Sequence, residues 1–491
     1  MTVIECPCVS YKAEFYFSGA AMTAAQLHKR QWIITARAGI PQSYGFKSIS
    51  LAPGLFLHYE PSLRVEADPT KKYIILGNPF GNIAGQKDAH YTAGRLVLID
   101  LPWLSLNAAG LLGVYYLERP QEVICSSSVA LISEITGQPS DTTALNWKRG
   151  INWDVLPNGP IPGLKKLYCD QALNLEIFSV AQRPRCLRHD LSEASAGDAL
   201  VQYFADLMPD IGRRFPRIYL ALTGGRDSRT LMSALLATGV QCEAFTWTFD
   251  AHSRQDAAIA KVICAKYGIV HHQIDAAGTN LLALKTYRRH TSGRIDDADT
   301  HHLVPGNYYR MFGRDDLILL GDGFEIGRRF YAQKFRRSPA PSDKLNDEIV
   351  ALAFGEDKSE RIRASLKAWL SYRETNPIFN MDLIDLFYLD QRLGGWQASI
   401  CQGRDCLVPD FFEPANSWTC VDLLMATSPE RRAAGVIQSY AMEKLVPGIS
   451  KVGSWTFAAM KSKAFSATRS LVLDSPFENI ARMLMNKIKK N

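Results

Sequence analysis

Hydrophobic positions along this chain fall into two regimes. Up to about residue 190 they come in short runs: Phe15 to Phe17, Trp32 to Ile34, Tyr73 to Leu76, Arg95 to Ile99, Val114 to Leu117 and Val123-Ile124. Turn residues separate these runs, as at Gly77-Asn78-Pro79 and Asn107 to Gly110, so the pattern predicts a strand-rich first part. A polar stretch from Arg183 to Gly197 then changes the character of the chain. After it, helical periods alternate with buried runs, which predicts an α/β unit with a parallel sheet. Strands are expected at Ile218 to Leu222, Ala244 to Phe249, His271 to Ile274 and Leu317 to Leu320. A helix is expected from Asp227, with Leu231 and Leu235 on its inner face. Another is expected from Asp256 to Tyr267, burying Ile259, Val262, Ile263 and Tyr267. Beyond about residue 340 the pattern is mostly helical, including Met381 to Ile400.

The length of 491 residues suggests about two to four domains. With 47% hydrophobic and 21% charged residues the composition is that of a soluble globular protein. A net charge of +7 suits an anionic ligand and does not call for nucleic acid. Ten cysteines without CxxC spacing indicate neither a zinc ribbon nor a disulfide framework, and a cytoplasmic setting with reduced thiols is expected. The first residues lack the basic and apolar regions of a signal peptide. The uncharged stretch Leu101 to Leu117 carries Ser105 and Asn107 and reads as core strands with a turn. The basic run from Lys461 to Lys490 reads as a docking helix with a solvated end, and membrane contact is not expected.

Candidate chemistry starts where the run Ile218 to Leu222 breaks into Thr223-Gly224-Gly225-Arg226-Asp227-Ser228. A strand, a glycine turn and a helix start form a cradle for pyrophosphate, because backbone N–H groups point at the anion. Thr223 and Ser228 add hydroxyl donors, and Asp227 suits a magnesium ion beside the phosphates. The spacing is neither the Walker loop nor the dinucleotide G-x-G-x-x-G. A second feature, Leu320-Gly-Asp-Gly-Phe-Glu325, puts Asp322 and Glu325 just past a buried strand. Alone such residues often bond only their local backbone. The pairs His271-His272 and His301-His302 lack further ligands at metal spacing and read as ordinary histidines.

The Thr-Gly-Gly-x-Asp-Ser loop resembles the Ser-Gly-Gly-x-Asp-Ser signature of ATP pyrophosphatases. With Leu320 to Ile326, it resembles the synthetase part of the asparagine synthetase family, whose later turn reads Ser-Gly-Glu-Gly-Ser-Asp-Glu. Asp256 matches an aspartate at the start of that family's second helix. Ala93 to Asp100, Gly110 to Tyr116, Ser126 to Ser128 and Ile161 to Lys166 resemble its amidotransferase layer. The resemblance implies an Ntn-hydrolase-like αββα layer domain over 1–190. It implies a Rossmann-like parallel-sheet ATP pyrophosphatase domain with a helical C-terminal part over 191–491. It further implies an ATP-dependent, AMP-forming amide ligase using ATP and Mg2+. Thr223, Gly224, Gly225, Asp227 and Ser228 would hold the pyrophosphate, Asp227 and Glu325 the magnesium. Asp322 would be the base for the amine, and Lys461 or Lys463 would reach the pyrophosphate.

Residue 2 is Thr2, where glutamine-using members expose a cysteine, and Cys6 or Cys8 would need processing to serve; a working glutaminase is therefore not expected. Members without that cysteine include β-lactam and lasso-peptide macrolactam synthetases. The partners expected are a small-molecule, glycan or peptide carboxylate and an amine donor or ammonia. A lactam-forming synthetase with an internal amine and a degenerate, non-catalytic scaffold stay open, as does a homodimer. Arg226 and Arg229 depart from the family's residues and suit either phosphate or a helix surface.

Overall fold

The computed structural model describes residues 28–37, 43–67, 73–80, 89–118, 122–141, 153–183, 185, 187, 191–275, 281–292, 294–295, 311–331, 360–407 and 409–453. Thr2, Cys6, Cys8, Phe15 to Phe17, the His301-His302 pair, Lys461, Lys463 and the basic run lie outside the described residues. Among the described residues no helix is long and apolar enough to cross a membrane.

The described residues of the first part form twelve strands. They are β1 (Trp32–Thr35), β2 (Lys47–Ala52), β3 (Leu55–Tyr59), β4 (Val65–Ala67), β5 (Ile74–Phe80) and β6 (Ala93–Asp100). They continue with β7 (Trp103–Leu106), β8 (Tyr115–Leu117), β9 (Ile124–Ser126), β10 (Leu164–Lys166), β11 (Gln171–Asn174) and β12 (Ser179–Gln182). Two six-stranded sheets result, ordered β10-β8-β9-β1-β3-β2 and β12-β11-β7-β6-β5-β4. The longest ladder runs from Ile74 opposite Ile99 to Phe80 opposite Ala93. Side chains alternate across each strand. Thus Trp32 and Ile34 join Leu76, Val97 and Leu106 in the core between the sheets. Ile33 points the other way, against Leu131 and Ile135 of helix α1 (Val129–Thr136). These are three layers, one helical and two of sheet. The fourth layer of an αββα stack is not formed by the described residues of this part.

The second part carries a parallel sheet of β13 (Arg217–Ala221), β14 (Glu243–Thr248), β15 (His271–Asp275), β16 (Asp316–Leu319) and β17 (Asp410–Phe412). Its order is β15-β14-β13-β16-β17, and every pairing is parallel. The α/β class expected from the pattern is therefore present. Helices α2 (Glu193–Arg214), α3 (Arg226–Thr238) and α4 (Ala251–Tyr267) belong to this part. Ile218 and Leu220 join Leu231, Met232, Leu235 and Ile259 in one core, and Tyr219 packs with Phe245 and Phe312 in another. On α4 one expectation fails: Val262 is exposed, and Ala260 and Cys264 complete the buried face with Ile259 and Ile263. The sheet is covered by Ala260 and Cys264 because the helix rotates its smaller residues inward.

Helix α5 (Leu281–Thr291) precedes β16, and beyond that strand lie α6 (Glu360–Thr375), α7 (Leu383–Phe387), α8 (Ala398–Arg404), α9 (Trp418–Leu424), α10 (Pro429–Ala434) and α11 (Val436–Leu445). The helical pattern expected over Met381 to Ile400 is present as α7, a π-helical segment Tyr388–Gln397, and α8. Buried charges tie this helical region to the first part. Arg95 of β6 grips Asp405 with two hydrogen bonds of 2.5 and 2.8 Å. Arg373 of α6 donates from Nε to Asp390 (2.7 Å) and from Nη1 to Asp170 (2.7 Å). All three side chains are at most 1% exposed. Removing the guanidinium would leave two buried carboxylates facing each other. Arg373→Leu is therefore expected to lower unfolding free energy by about 3–5 kcal/mol, read from urea denaturation.

Candidate active site

Strand β13 lies between β14 and β16, so connections leave it in opposite directions along the sheet. Such a switch point opens a crevice beyond the carboxyl ends of the strands. The turns that follow β13 and β16 meet there. A Cβ on Gly321 would stand 3.0 Å from the backbone N of Ser228 and 3.1 Å from the carbonyl carbon of Asp227. A Cβ there would crowd both backbone atoms, so glycine lets the two turns pass without a shift of a few tenths of an ångström. A cleft of about 400 Å³ opens between them, lined by Thr223, Asp227 and Ser228 on one side and Asp322 and Glu325 on the other. Phe245, Trp247 and Phe249 of the β14 edge and Trp396 and Arg404 from the helical region complete its wall.

The 223–228 loop is held by its own side chains. Thr223 N–H donates to Ser228 Oγ (3.1 Å), and Gly225 N–H donates to Thr223 Oγ1 (3.1 Å). Gly224 N–H donates to Asp256 Oδ1 across 2.9 Å, which ties the loop to α4. Two helices start at this cleft and differ at their first turn. The start of α4 is closed by Asp250 and Ser253 in a reciprocal capping box. The start of α3 has Gly225 at the cap position and no side chain bonding its N–H groups. A helix end left this way attracts an anion, through orphan donors and the helix dipole together.

The carboxylates are oriented from the π-helical segment. Tyr388 O–H donates to Glu325 Oε2 (2.8 Å), and Gln397 Nε2 donates to Asp322 Oδ2 (3.0 Å). Nine positions of α-helix are two and a half turns, which would put these side chains on opposite sides. The wider i→i+5 winding brings them to one side after roughly two turns. Gln397 Nε2 also reaches buried Glu413 Oε1 at 3.0 Å, and Arg404 Nη1 reaches the same oxygen at 3.3 Å. Asp322 remains accessible, with 37% of its side chain exposed.

Asp227 is engaged on both oxygens. Arg328 forms an ion pair through Oδ2, and Gln438 Nε2 donates to Oδ1 at 2.9 Å. Burial pushes the Asp227 carboxyl above its ordinary value, against the pull of Arg328. Burial also raises Glu325, and the nearby Asp227 and Asp322 add to the rise while the Tyr388 hydrogen bond opposes it. Hard carboxylate oxygens suit magnesium, yet among the described residues no three acidic, His or Cys side chains are grouped to hold a metal. Arg328 and Gln438 each hold one Asp227 oxygen, so a magnesium ion between Asp227 and Glu325 would have to share those oxygens with them.

Of the two α3 arginines, Arg229 lacks the surroundings expected of it. Arg229 is buried, and its Nη1 donates to the carbonyls of Ile449, Ser450 and Val452 at 3.1, 2.8 and 3.0 Å. Its Nη2 reaches Gly224 O at 3.3 Å. Arg226 donates to Ala434 O at 2.9 Å. His271 bonds Thr246 Oγ1 at 2.9 Å and His272 bonds Glu243, as strand histidines do. Sequence reasoning missed Arg328, Tyr388, Gln397 and Gln438. Only Arg328 had a local signal, three positions after Glu325 in the same turn.

No protein-family profile and no curated protein matches the chain. Among solved structures it is similar to the NMN synthetase of Francisella tularensis, at 13% identity over 39% of this chain and 99% of that one, with a TM-score of 0.20. It is also similar to the glutamine-dependent NAD+ synthetase of Acinetobacter baumannii in complex with ADP, at 14% identity over 50% of this chain and 56% of that one, with a TM-score of 0.19. Likenesses of this size carry no argument about fold or function.

The 324–328 turn bearing Glu325 is anchored from beneath. Arg329 pairs with Asp382, and Arg432 Nη1 donates to Asp385 Oδ2 at 2.7 Å. Burial lifts the Asp385 carboxyl to about 6, with Asp382 adding and Arg432 opposing. The fold therefore favours the protonated form. Its contribution is full below the unfolded value of 3.8 and is lost as pH rises through about 6. Asp385→Asn is expected to gain stability relative to the parent across that window, on the order of 2 kcal/mol, and to hold level above it, as denaturation at stepped pH would record.

Proposed function

We propose that this chain is an ATP-dependent, AMP-forming amide ligase of the ATP pyrophosphatase type, similar to asparagine synthetases over 191–491. The observation that carries the reading is the meeting, at one switch-point cleft, of an uncapped helix start and an accessible carboxylate on the neighbouring strand's turn. The first suits the phosphates that leave and the second suits the amine that enters. The front part, 1–190, is read as an Ntn-hydrolase-like layer that shapes the substrate site and makes no ammonia.

In this reading a carboxylate oxygen of the substrate attacks the α-phosphorus of ATP. The bond to the β-phosphate oxygen breaks and pyrophosphate leaves. Ser228, Thr223 and the first N–H groups of α3 hold the polyphosphate in line, which is the main part of such catalysis. The amine nitrogen then attacks the carbonyl carbon of the acyl-adenylate, AMP departs, and Asp322 takes the amine proton. Gln397 fixes Asp322 for that task.

A pyrophosphate-release assay across carboxylic acids, with and without amines, tests the proposal. Release with at least one acid is expected. Ser228→Ala should weaken it about tenfold or more through the lost hydroxyl bond. Asp322→Asn should spare nucleotide binding and slow amide formation about a hundredfold. A chain that binds no ATP and releases no pyrophosphate with any acid is the scaffold instead.

A further inference from the structure

The positive charge that a metal would bring to Asp227 is already supplied by the protein. Arg328 closes the short 324–328 turn and pairs with Asp227, leaving 27% of its own side chain exposed. Gln438, itself buried, fixes the other Asp227 oxygen at 2.9 Å. A second guanidinium stands close by: burial and then the like charge of Arg328 lower the pKa of Arg226. Both pack under Gly435, where a Cβ would overlap Arg226 Nη1 and lie 3.4 Å from Arg328 Cδ. Arg226 and Arg328 thus bring two guanidiniums to one helix start, where a polyphosphate is an anion that suits them.

Resting on the ATP reading above, we infer that Arg328 is a positioning residue that neutralises Asp227 in place of a divalent cation, so that this loop binds polyphosphate without metal at Asp227. A bare Asp227 would repel the phosphates and would cost energy as a partly buried charge. Arg328 removes that repulsion from behind while α3 and the loop hydroxyls meet the anion.

Calorimetric titration of α,β-methylene ATP, with EDTA or with magnesium, tests this. The parent should bind in EDTA within about threefold of its affinity in magnesium. Arg328→Gln should bind about tenfold more weakly in EDTA, the effect of one lost charge-assisted contact, and recover with magnesium. Asp227→Asn should keep metal-free binding. The double change Arg328→Gln with Asp227→Asn should restore what Arg328→Gln lost, which a folding defect would not. Binding by the parent only in magnesium, abolished by Asp227→Asn, overturns the inference and leaves the ATP reading standing. No binding by the parent in either buffer removes the ATP reading and this inference together.

Discussion

At Gly321 the chain leaving β16 passes the first turn of α3 so closely that a Cβ would stand only 3.0 Å from Ser228 N. That passage is imposed by the sheet. Parallel strands β13 and β16 run in register from Arg217 opposite Asp316 to Leu220 opposite Leu319, so their following turns must emerge side by side. The Arg217–Asp316 ion pair, at 2.7 Å, holds the same register at the strands' entry. Everything chemical at the cleft depends on this proximity. It sets Asp227 against the turn bearing Asp322, Glu325 and Arg328, which are about a hundred positions away along the chain. Close backbone packing, joined by the Arg328–Asp227 ion pair, thus brings the 223–228 loop and the acidic turn together.

The electrostatics of the cleft follow from how each carboxylate is answered. Asp322 receives a neutral amide and, at 4.0 Å, the Arg404 guanidinium; Glu325 receives a phenol, and Asp227 an amide and a guanidinium in direct contact. A guanidinium in contact offsets a carboxylate's charge more fully than an amide or phenol does. The three groups therefore differ in surroundings despite sharing one site. Asp322 is the accessible one, and Asp227 is the one held directly by a guanidinium. A buried layer of Glu413, Arg404 and Cys401 lies behind Gln397 and restricts how that amide can turn.

Much of this was legible from the residues in order. Strands β13, β14 and β16 are buried on both faces, so they stand out as continuous apolar runs. The Thr223 turn and the Leu320 to Glu325 turn announce themselves by glycine between strand and helix. Edge strands such as Ser179–Gln182 carry no such run, because half of their residues face water. The three residues of β17 are too few to show a period. The π-helical winding of 388–397 is invisible because most of that segment is buried, which erases the periodicity that would separate i+4 from i+5. The partners of Asp227 come from 101 and 211 positions away, and nothing local encodes them. Val262 misled because an apolar residue at helical spacing can still face solvent.

Arg229 has a consequence for how the molecule is made. Its guanidinium spans from Gly224 to the carbonyls of 449–452, the farthest of them 223 positions downstream. Gln438 reaches back to Asp227 over a similar span. During synthesis the loop is translated near the middle of the chain, and its supports are translated near the end. A chain emerging from a ribosome can pair its parallel strands β13 to β15 early, but the anion cradle stays open until the last of these contacts arrives. The cleft is thus the keystone of assembly, locked only when the distant segment folds back beneath it.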